Sequence, residues 1–274
     1  MDTPTLRIGI TGQSGFIGTH LSRLLGRYPE EFSLIPFEDA FWEGAFLLSD
    51  FVYQCDVIIH LAFVNRHSDA DFLYQHNVKL ARELTSALEK KREKTILIYA
   101  SSIREGEPTA YGKAKKECRH ILEKWAERNG GIVRTCRIPN VFGPGARPYY
   151  NSFIATFCDQ LLRGEGCTVT EKREVPLLYV ESLCEKLLLY LRECHTWNPE
   201  IAVQEIEPDF RMEVEAVLAV LRSFVNEWRA HRRITTPRDP NLIRLRTTFL
   251  SHTNPDATFQ NINHQDPLEI IHRI

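Results

Sequence analysis

The sequence lacks long apolar runs and carries almost no net charge, and both absences restrict what the protein does. No stretch of about eighteen or more apolar residues occurs, so we expect no transmembrane helix. The formal net charge is -2, so we expect no bulk attraction to nucleic acid or to anionic membranes. The first seven residues are polar and do not resemble a signal peptide. These features favour a cytoplasmic protein without nucleic-acid or membrane partners.

The sequence also lacks the cysteine and histidine patterns of metal sites and disulfide frameworks. Its seven cysteines are scattered and form no C-x-x-C pair, and its ten histidines show no H-x-x-x-H spacing. We therefore predict reduced, mostly buried thiols, as in a cytosolic protein, and no metal site.

Short apolar segments alternate with amphipathic ones as far as residue 140. We predict strands at 6–11, 32–37, 56–61, 95–100 and 131–138, and helices at 15–25, 71–91 and 111–129. Strands that are apolar throughout and separated by helices are typical of a parallel sheet covered on both faces. The predicted fold class is therefore α/β, with a Rossmann-type doubly wound parallel sheet.

The pattern loosens after Pro139. We predict helices at 152–162, 182–193 and 212–229, and no element from Thr235 onward, where the sequence is polar and weakly periodic. We expect an NAD(P)-binding Rossmann domain over residues 1–145, to which residues 175–195 return. Residues 146–274 would form mainly a small C-terminal substrate lobe and a tail.

A glycine-rich turn follows the first predicted strand and opens the first predicted helix. Gly12 permits a tight turn, Gly15 lets the backbone approach a pyrophosphate, and Gly18 lets the helix pack closely on the strand. The helix N-terminus offers N–H groups and a positive dipole end to the phosphates. The alternative is a glycine-rich turn without a ligand. The predicted cofactor-binding residues of this turn are Gly12, Ser14, Gly15, Phe16, Ile17 and Gly18.

Glu38 lies at the end of the second predicted strand, about twenty residues beyond the glycine-rich turn. A carboxylate at this place binds the hydroxyls of the adenosine ribose and repels a 2′-phosphate. Glu38 therefore favours NAD over NADP as the cofactor. The alternative is an acidic residue in a solvated loop.

Tyr111 and Lys115 are four residues apart in a predicted helix and therefore share one helix face. A lysine ammonium near a phenol lowers the pKa of the phenol, which makes Tyr111 a candidate general acid or base for a carbonyl/alcohol couple. Ser102 ends the preceding buried strand, and ligands of such sheets bind at the carboxyl ends of the strands. The alternative for the Tyr/Lys pair alone is a solvated helix surface.

These features together resemble the extended short-chain dehydrogenase/reductase family, which acts on nucleotide-linked sugars. The resemblance covers about residues 6–182 and rests on these motifs: TGQSGFIG at 11–18, DVIIHLA at 56–62, the serine pair at 101–102, Tyr111 with Lys115, and RIPNVFGP at 137–144. A closer resemblance is to the reductase domain of bacterial capsular-polysaccharide enzymes, which reduce a UDP-linked 4-keto sugar. It rests on HLAFVNR at 60–66, RIPNVFG at 137–143 and RPYYNSFIATFC at 147–158.

The resemblance implies roles for individual residues. Ser102 matches the catalytic hydroxyl, Tyr111 the acid/base and Lys115 the lysine that binds the nicotinamide ribose. Asn140 matches a substrate-contacting asparagine, and Ser102 would also touch the substrate. Further cofactor contacts are implied for Asp56, which would approach the adenine, and for Leu61, Ala62 and Pro139.

The sequence departs from the family pattern in three respects. Phe63 stands where the reductase group usually has glycine, which places a bulky ring near the expected nicotinamide path. Glu38 replaces the basic residue expected of an NADP enzyme. Ile103 follows Ser102, where sugar 4,6-dehydratases carry an Asp-Glu pair, so a dehydratase is disfavoured. The related reductases usually carry a C-terminal cupin epimerase domain, and the resemblance does not imply that epimerase activity here.

A UDP-sugar carries a pyrophosphate, so its binding residues should include cations. Arg147 and Arg173 are candidates because a guanidinium pairs well with phosphate oxygens. Tyr150 and Asn151 follow Arg147 closely and suit a base or a sugar ring. The alternative is a surface arginine in a proline-containing turn.

Three functions remain open from the sequence. The first is an NAD(P)H-dependent reductase of a nucleotide-linked 4-keto-hexose in surface-polysaccharide precursor synthesis. The second is a nucleotide-sugar 4-epimerase of the same fold, and the third is a non-catalytic dinucleotide-binding protein. A homodimer is also expected, because this family pairs the helices predicted at 71–91 and 111–129 into a four-helix interface.

Overall fold

The computed structural model describes residues 5–91, 94–169, 173–197 and 201–253. The described residues form two compact units, one from 5–139 and 181–207 and the other from 140–180 and 208–253. No helix within these ranges is long and apolar enough to cross a bilayer.

A six-stranded sheet forms the centre of the first unit. All its neighbouring strands are parallel, and their order is β2-β1-β3-β4-β5-β8. The chain runs from β1 to β2 on one side and then to β3 on the other, so the topological switch lies between β1 and β3. The strands of the described residues are β1 Leu6–Thr11, β2 Phe32–Ile35, β3 Val57–His60, β4 Ile96–Ser102, β5 Ile132–Ile138, β6 Asn140–Phe142, β7 Glu174–Tyr179, β8 Ile201–Glu205 and β9 Phe210–Glu213.

Helices flank this sheet, which confirms the predicted Rossmann-type α/β fold. The side chains of β3 are buried throughout, because the sheet is covered rather than exposed to solvent. The helices are α1 Phe16–Leu25, α2 Ala45–Gln54, α3 Ala70–Glu89, α4 Ala110–Asn129, α5 Phe153–Arg163, α6 Val180–Glu193, α7 Val214–His231 and α8 Pro240–Thr253, with 3-10 turns at Asp39–Glu43 and Cys194–Thr196.

One apolar core joins α2, α3 and α4 to the sheet. Phe51, Leu84 and Leu122 come from the three helices and pack in one cluster with Ile58 and Leu97 of β3 and β4. Burial of a large apolar side chain contributes about 1.5–3 kcal/mol, so this cluster fixes α3 and α4 against the sheet.

The second unit has a smaller mixed sheet of order β6-β7-β9. β6 and β7 are parallel, and β7 and β9 are antiparallel. α5, α7 and α8 pack on it through a separate core that includes Phe142, Cys158, Leu221 and Phe249.

Two helices lie where the sequence predicted none. α2 buries Leu48, Phe51 and Val52 but exposes Phe46 and Tyr53, so its apolar residues show no one-sided period. α8 extends over 240–253, in the part of the chain that the sequence pattern left without an element.

Candidate active site

The glycine-rich turn has the backbone geometry of an anion-binding turn. Gly12 has a φ of +74°, and a Cβ atom there would lie 2.9 Å from the Ala62 nitrogen. The Gly15 N–H donates to the Gly12 carbonyl over 3.0 Å and closes the turn. A Cβ atom on Gly18 would collide with the same carbonyl. The three glycines therefore allow the turn, β3 and α1 to approach one another at backbone distance.

The N-terminus of α1 points out of this turn. Gly15 is its N-cap and has no side chain that could satisfy the first N–H groups of the helix. Ser14 beside it is exposed. This arrangement fits a pyrophosphate, which backbone N–H groups and the helix dipole would hold. The chain therefore has a fitting place for the diphosphate of a dinucleotide.

The end of β3 is tied to the end of β1 beside the turn. The Thr11 hydroxyl lies 2.7 Å from His60 Nδ1 and accepts a hydrogen bond from the Ala62 N–H, over 3.3 Å. The Leu61 N–H donates to the Thr11 carbonyl over 3.1 Å. Burial lowers the pKa of His60 to about 3, and the Lys115 charge acts in the same direction, so the imidazole is neutral. Leu61 and Ala62 thus border the topological switch, and their contact with a cofactor stays a prediction.

Glu38 also lies beside the glycine-rich turn. The Gln13 side chain accepts a hydrogen bond from the Phe37 N–H over 3.0 Å and thereby ties the turn to the segment after β2. Glu38 itself is exposed and caps the 3-10 turn at Asp39–Glu43. The place agrees with a ribose-binding carboxylate, and that role stays a prediction.

The prediction that Asp56 approaches the adenine is wrong. Asp56 precedes the first residue of β3 and lies next to Arg7, near the amino end of β1. Arg7 donates to its carboxylate from Nη2 over 2.6 Å and from Nε over 3.0 Å. Four residues of β1 span about 13 Å, so Asp56 lies at the opposite sheet edge from the glycine-rich turn. Although partial burial opposes it, the Arg7 contacts hold the pKa of Asp56 below its usual value.

Ser102 and Tyr111 lie at the carboxyl end of β4 and the start of α4. Ser102 is the buried last residue of β4, and its hydroxyl accepts a hydrogen bond from the Arg104 N–H over 3.2 Å. Thr109 caps α4 by accepting from the Gly112 N–H over 3.1 Å. A Cβ atom on Gly112 would lie 2.7 Å from the Arg104 carbonyl, so glycine lets α4 start directly against the short connecting loop.

Lys115 is buried one turn further along α4. Its Nζ donates to the Ala100 carbonyl over 2.7 Å and lies 3.7 Å from the centroid of the Phe63 ring. Burial lowers the pKa of Lys115 to about 7, against a smaller opposing influence of the Glu105 charge. The position fits a lysine for the nicotinamide ribose, and the Phe63 ring covers the ammonium on one side.

The expected effect of Lys115 on Tyr111 is not what the structure shows. Burial raises the pKa of Tyr111, and the hydroxyl of Ser102 is the largest influence that lowers it. Lys115 Nζ is 5.8 Å from the centroid of the Tyr111 ring and donates to the Ala100 carbonyl, and the Phe63 ring meets Tyr111 edge to face at 5.4 Å. The three predicted catalytic residues thus lie at one strand end, and the Ser102 hydroxyl, rather than Lys115, is the main polar influence that lowers the pKa of the phenol.

Asn77 of α3 shapes the same region and was missed in the sequence. Its buried side chain accepts from the Val64 N–H over 2.8 Å and donates to the Val64 carbonyl over 3.0 Å. It also donates to the Leu73 carbonyl over 2.8 Å. An asparagine on the apolar face of a predicted helix was the available signal, because a buried amide needs such partners.

The predicted substrate residues lie in the second unit, apart from Ser102. Asn140 opens β6 and donates from its side chain to the Pro176 carbonyl of β7 over 3.1 Å, so part of its amide is engaged in the sheet. Arg147 and Asn151 are exposed in the loop before α5. Tyr150 of that loop is partly buried, and Arg173 is exposed and accepts at its carbonyl from the Val214 N–H over 3.1 Å. Pro139 follows β5 and is buried in the first unit.

Within the described ranges, no group of three or more histidine, cysteine or acidic side chains is placed to hold a metal ion. The cysteines of those ranges carry no disulfide, and Cys167 is partly buried while the other six are buried. Burial raises the pKa of the Cys158 and Cys184 thiols well above the usual range.

Comparison with known proteins agrees with this geometry. The family model described as the NAD dependent epimerase/dehydratase family matches residues 8–203. The chain is 28% identical over 266 residues to UDP-2-acetamido-2,6-beta-L-arabino-hexul-4-ose reductase of Pseudomonas aeruginosa, a match that covers 96% of this chain and 69% of that protein.

Two solved structures extend the comparison. The capsular polysaccharide assembling protein CapF of Staphylococcus aureus superposes with a TM-score of 0.72 at 26% identity, over 91% of this chain. This chain spans 66% of the length of CapF, about two thirds. The UDP-glucose 4-epimerase of Thermus thermophilus, in complex with NAD, has a TM-score of 0.72 at 17% identity and covers 91% of this chain and 99% of that one. At that identity the likeness supports the fold alone.

Proposed function

Because the chain belongs to the NAD dependent epimerase/dehydratase family, we propose that it is an NAD(P)H-dependent reductase of a UDP-linked 4-keto-hexose. The observation that carries the proposal is the convergence of Ser102, Tyr111 and Lys115 at the carboxyl end of β4, in the unit that holds the glycine-rich turn. The similarity to a curated 4-keto-sugar reductase over nearly the whole chain supports the choice of substrate class.

The proposed reaction assigns a proton transfer to Tyr111. The nicotinamide cofactor supplies the hydride when it is bound. Tyr111 gives its proton to the oxygen that becomes an alcohol, and Ser102 hydrogen-bonds to that oxygen and to the phenol. Lys115 holds the ribose. Lys115 is buried and Tyr111 is partly buried, so the access of water to the two side chains is limited, which strengthens their polar contacts.

The proposed cofactor site comprises the residues around the topological switch. Backbone N–H groups at the start of α1 would hold the diphosphate, and Gly12 and Gly15 would let it approach the turn. Glu38 would bind the adenosine ribose, which favours NAD over NADP. Isothermal titration with NADH and NADPH in turn tests this preference, and Glu38→Arg should weaken NADH binding and strengthen NADPH binding.

We assign substrate binding mainly to the second unit. Arg147 and Arg173 carry the positive charge that a sugar diphosphate requires, and Tyr150 and Asn151 suit a base or a sugar ring. Asn140 is assigned to the sugar. The proposal also includes a cytoplasmic homodimer that pairs α3 and α4 with their copies.

A turnover assay separates the reductase from its alternatives. Oxidation of NADH or NADPH that depends on a UDP-4-keto-hexose supports the reductase. An interchange of C4 epimers by a chain whose cofactor survives dialysis supports the epimerase. The Phe63 ring over Lys115 is the observation that favours a non-catalytic dinucleotide-binding protein, which would bind cofactor and show neither reaction.

A further inference from the structure

Tyr111 has a cationic neighbour that the mechanism above does not use. The guanidinium carbon of Arg104 lies over the Tyr111 ring, 5.7 Å from its centroid. Arg104 belongs to the short loop between β4 and α4, and its N–H donates to the Ser102 hydroxyl. Arg104 therefore lies near Tyr111 through its side chain and contacts Ser102 through its backbone N–H.

Glu107 holds the Arg104 side chain in place. The Glu107 Oε2 atom accepts from Arg104 Nε over 2.9 Å and lies 2.9 Å from Nη2. The Arg104 side chain is 47% exposed, so the pair alone contributes little to stability. The position of the pair is more important than its contribution to stability, because it places one cation and one anion beside the Tyr111 phenol. Arg104 lowers the pKa of Tyr111 and Glu107 raises it, both less than burial does.

The other polar groups that face Tyr111 act differently. Ser102 donates a hydrogen bond but carries no charge. Lys115 Nζ is 5.8 Å from the ring centroid, and burial keeps its pKa near 7, so it loses its proton in the neutral range. Tyr99 is buried with a raised pKa and stays neutral. Arg104, in contrast, brings a guanidinium group over the ring of Tyr111.

We propose that Arg104 is a positioning residue of the reductase reaction. Arg104 acts through Tyr111, whose deprotonated form it stabilises, and Glu107 weakens this effect of Arg104. A bound reduced nicotinamide would supply the hydride to the sugar carbon, while the O–H bond of Tyr111 breaks and its proton joins the substrate oxygen. The remaining phenolate carries a full negative charge beside the Arg104 guanidinium. The inference rests on the proposed function, since it concerns the proton donor of that reaction.

The ionisation of position 111 tests the inference without cofactor or substrate. A 3-fluorotyrosine at position 111 reports its own ionisation by fluorine NMR, in the full chain. Arg104→Gln should move the midpoint to higher pH, and Glu107→Gln should move it to lower pH, each by about half a pH unit for a partly screened charge at this distance. Arg104→Lys keeps the charge and should restore most of the parent midpoint.

Turnover of the unlabelled variants supplies the second readout. The alkaline limb of the rate profile should shift in the same two directions, and Arg104→Gln should lower kcat several-fold with little change in KM. Unmoved midpoints, or shifts of the same sign in both glutamine variants, would overturn the inference even in an active reductase. Opposite shifts in a chain that reduces no 4-keto sugar would retain the pairing of Arg104 with Tyr111 and reject the reductase.

Discussion

Lys115 combines a site position with an unfavourable environment. Its ammonium lies among three rings, with Nζ at 3.7 Å from the centroid of Phe63, 5.3 Å from Tyr99 and 5.8 Å from Tyr111. The rings and the Ala100 carbonyl stabilise the charged form, but the loss of hydration outweighs them, because the pKa falls from 10.5 to about 7. A group held at such a cost to stability is typical of a functional site.

The first prediction concerns stability and pH. Between about pH 7 and 10.5 the unfolded chain binds a proton at Lys115 that the folded chain has released, so folding becomes more favourable as pH rises through this window. The destabilisation of the folded chain by charged, buried Lys115 is therefore greatest below about pH 7. Lys115→Met should stabilise the chain by about 2 kcal/mol at about pH 6 and much less at about pH 9.

Urea unfolding at the two pH values measures this difference. Lys113→Met, at an exposed lysine of the same helix, is the control and should change stability equally little at both. A Lys115→Met variant whose stability runs parallel to that of the parent across the window would show that Lys115 is not destabilised by burial.

Asn77 acts on the segment after β3. Asn77→Ala removes three hydrogen bonds and leaves the Val64 N–H and carbonyl without this partner. We expect a loss of about 2–3 kcal/mol in the free energy of unfolding, measured with urea, together with weaker cofactor binding. Gln75→Ala, at an exposed position of α3, should leave both unchanged. An Asn77→Ala variant with the parent's free energy of unfolding and cofactor affinity would contradict the role assigned to the Asn77 hydrogen bonds.

At the scale of elements, the glycine-rich turn depends on close backbone approach. Gly18→Ala places a Cβ atom against the Gly12 carbonyl and 2.8 Å from the Gln13 backbone, so α1 must move away from β1. We expect at least about a tenfold weaker Kd for NADH or NADPH and a loss of about 1–3 kcal/mol in stability. Gly166→Ala, where a Cβ atom meets open space, is the control. Equal Kd values for the two variants would exclude the close approach as a requirement for binding.

The sequence predicted those elements whose pattern is local. β1, α1 and the turn between them were predicted nearly to the residue, because the glycine spacing and the apolar strand are contiguous. α2 was missed because Phe46 and Tyr53 lie on its exposed side and hide the helical period. Strand order cannot be read from one segment, since it depends on which distant strands pair.

Site residues were also predicted correctly where their pattern is local in the sequence. Ser102, Tyr111 and Lys115 could be placed together because one strand end and one helix start are adjacent in sequence. Asp56 was assigned to the wrong sheet edge, because the motif that contains it spans the whole strand and its two ends lie at opposite edges. Arg104 carried no sequence signal, because its proximity to Tyr111 depends on the fold of the connecting loop.

At the scale of the whole molecule, the chain divides its proposed tasks between two units. The first holds the glycine-rich turn, Ser102, Tyr111 and Lys115, and the second holds Arg147 and most of the other residues assigned to the substrate. The glycine-rich turn and the Tyr111/Lys115 pair of the first unit have the spacing of the family, and the loop before α5 in the second unit is exposed at Arg147 and Asn151. Substrate choice is therefore expected to vary through the second unit while the hydride chemistry stays with the first.

The most direct test of the account is the rate of nicotinamide oxidation by Tyr111→Phe with a UDP-4-keto-hexose. The account predicts a fall in kcat of about 10²–10⁴-fold with an unchanged Kd for the cofactor, because the variant loses only the proton donor. Tyr53→Phe, which removes a surface phenol that donates to the Lys90 carbonyl, should keep the parent rate. A Tyr111→Phe variant that turns over at the parent rate would contradict the central claim that Tyr111 supplies the proton.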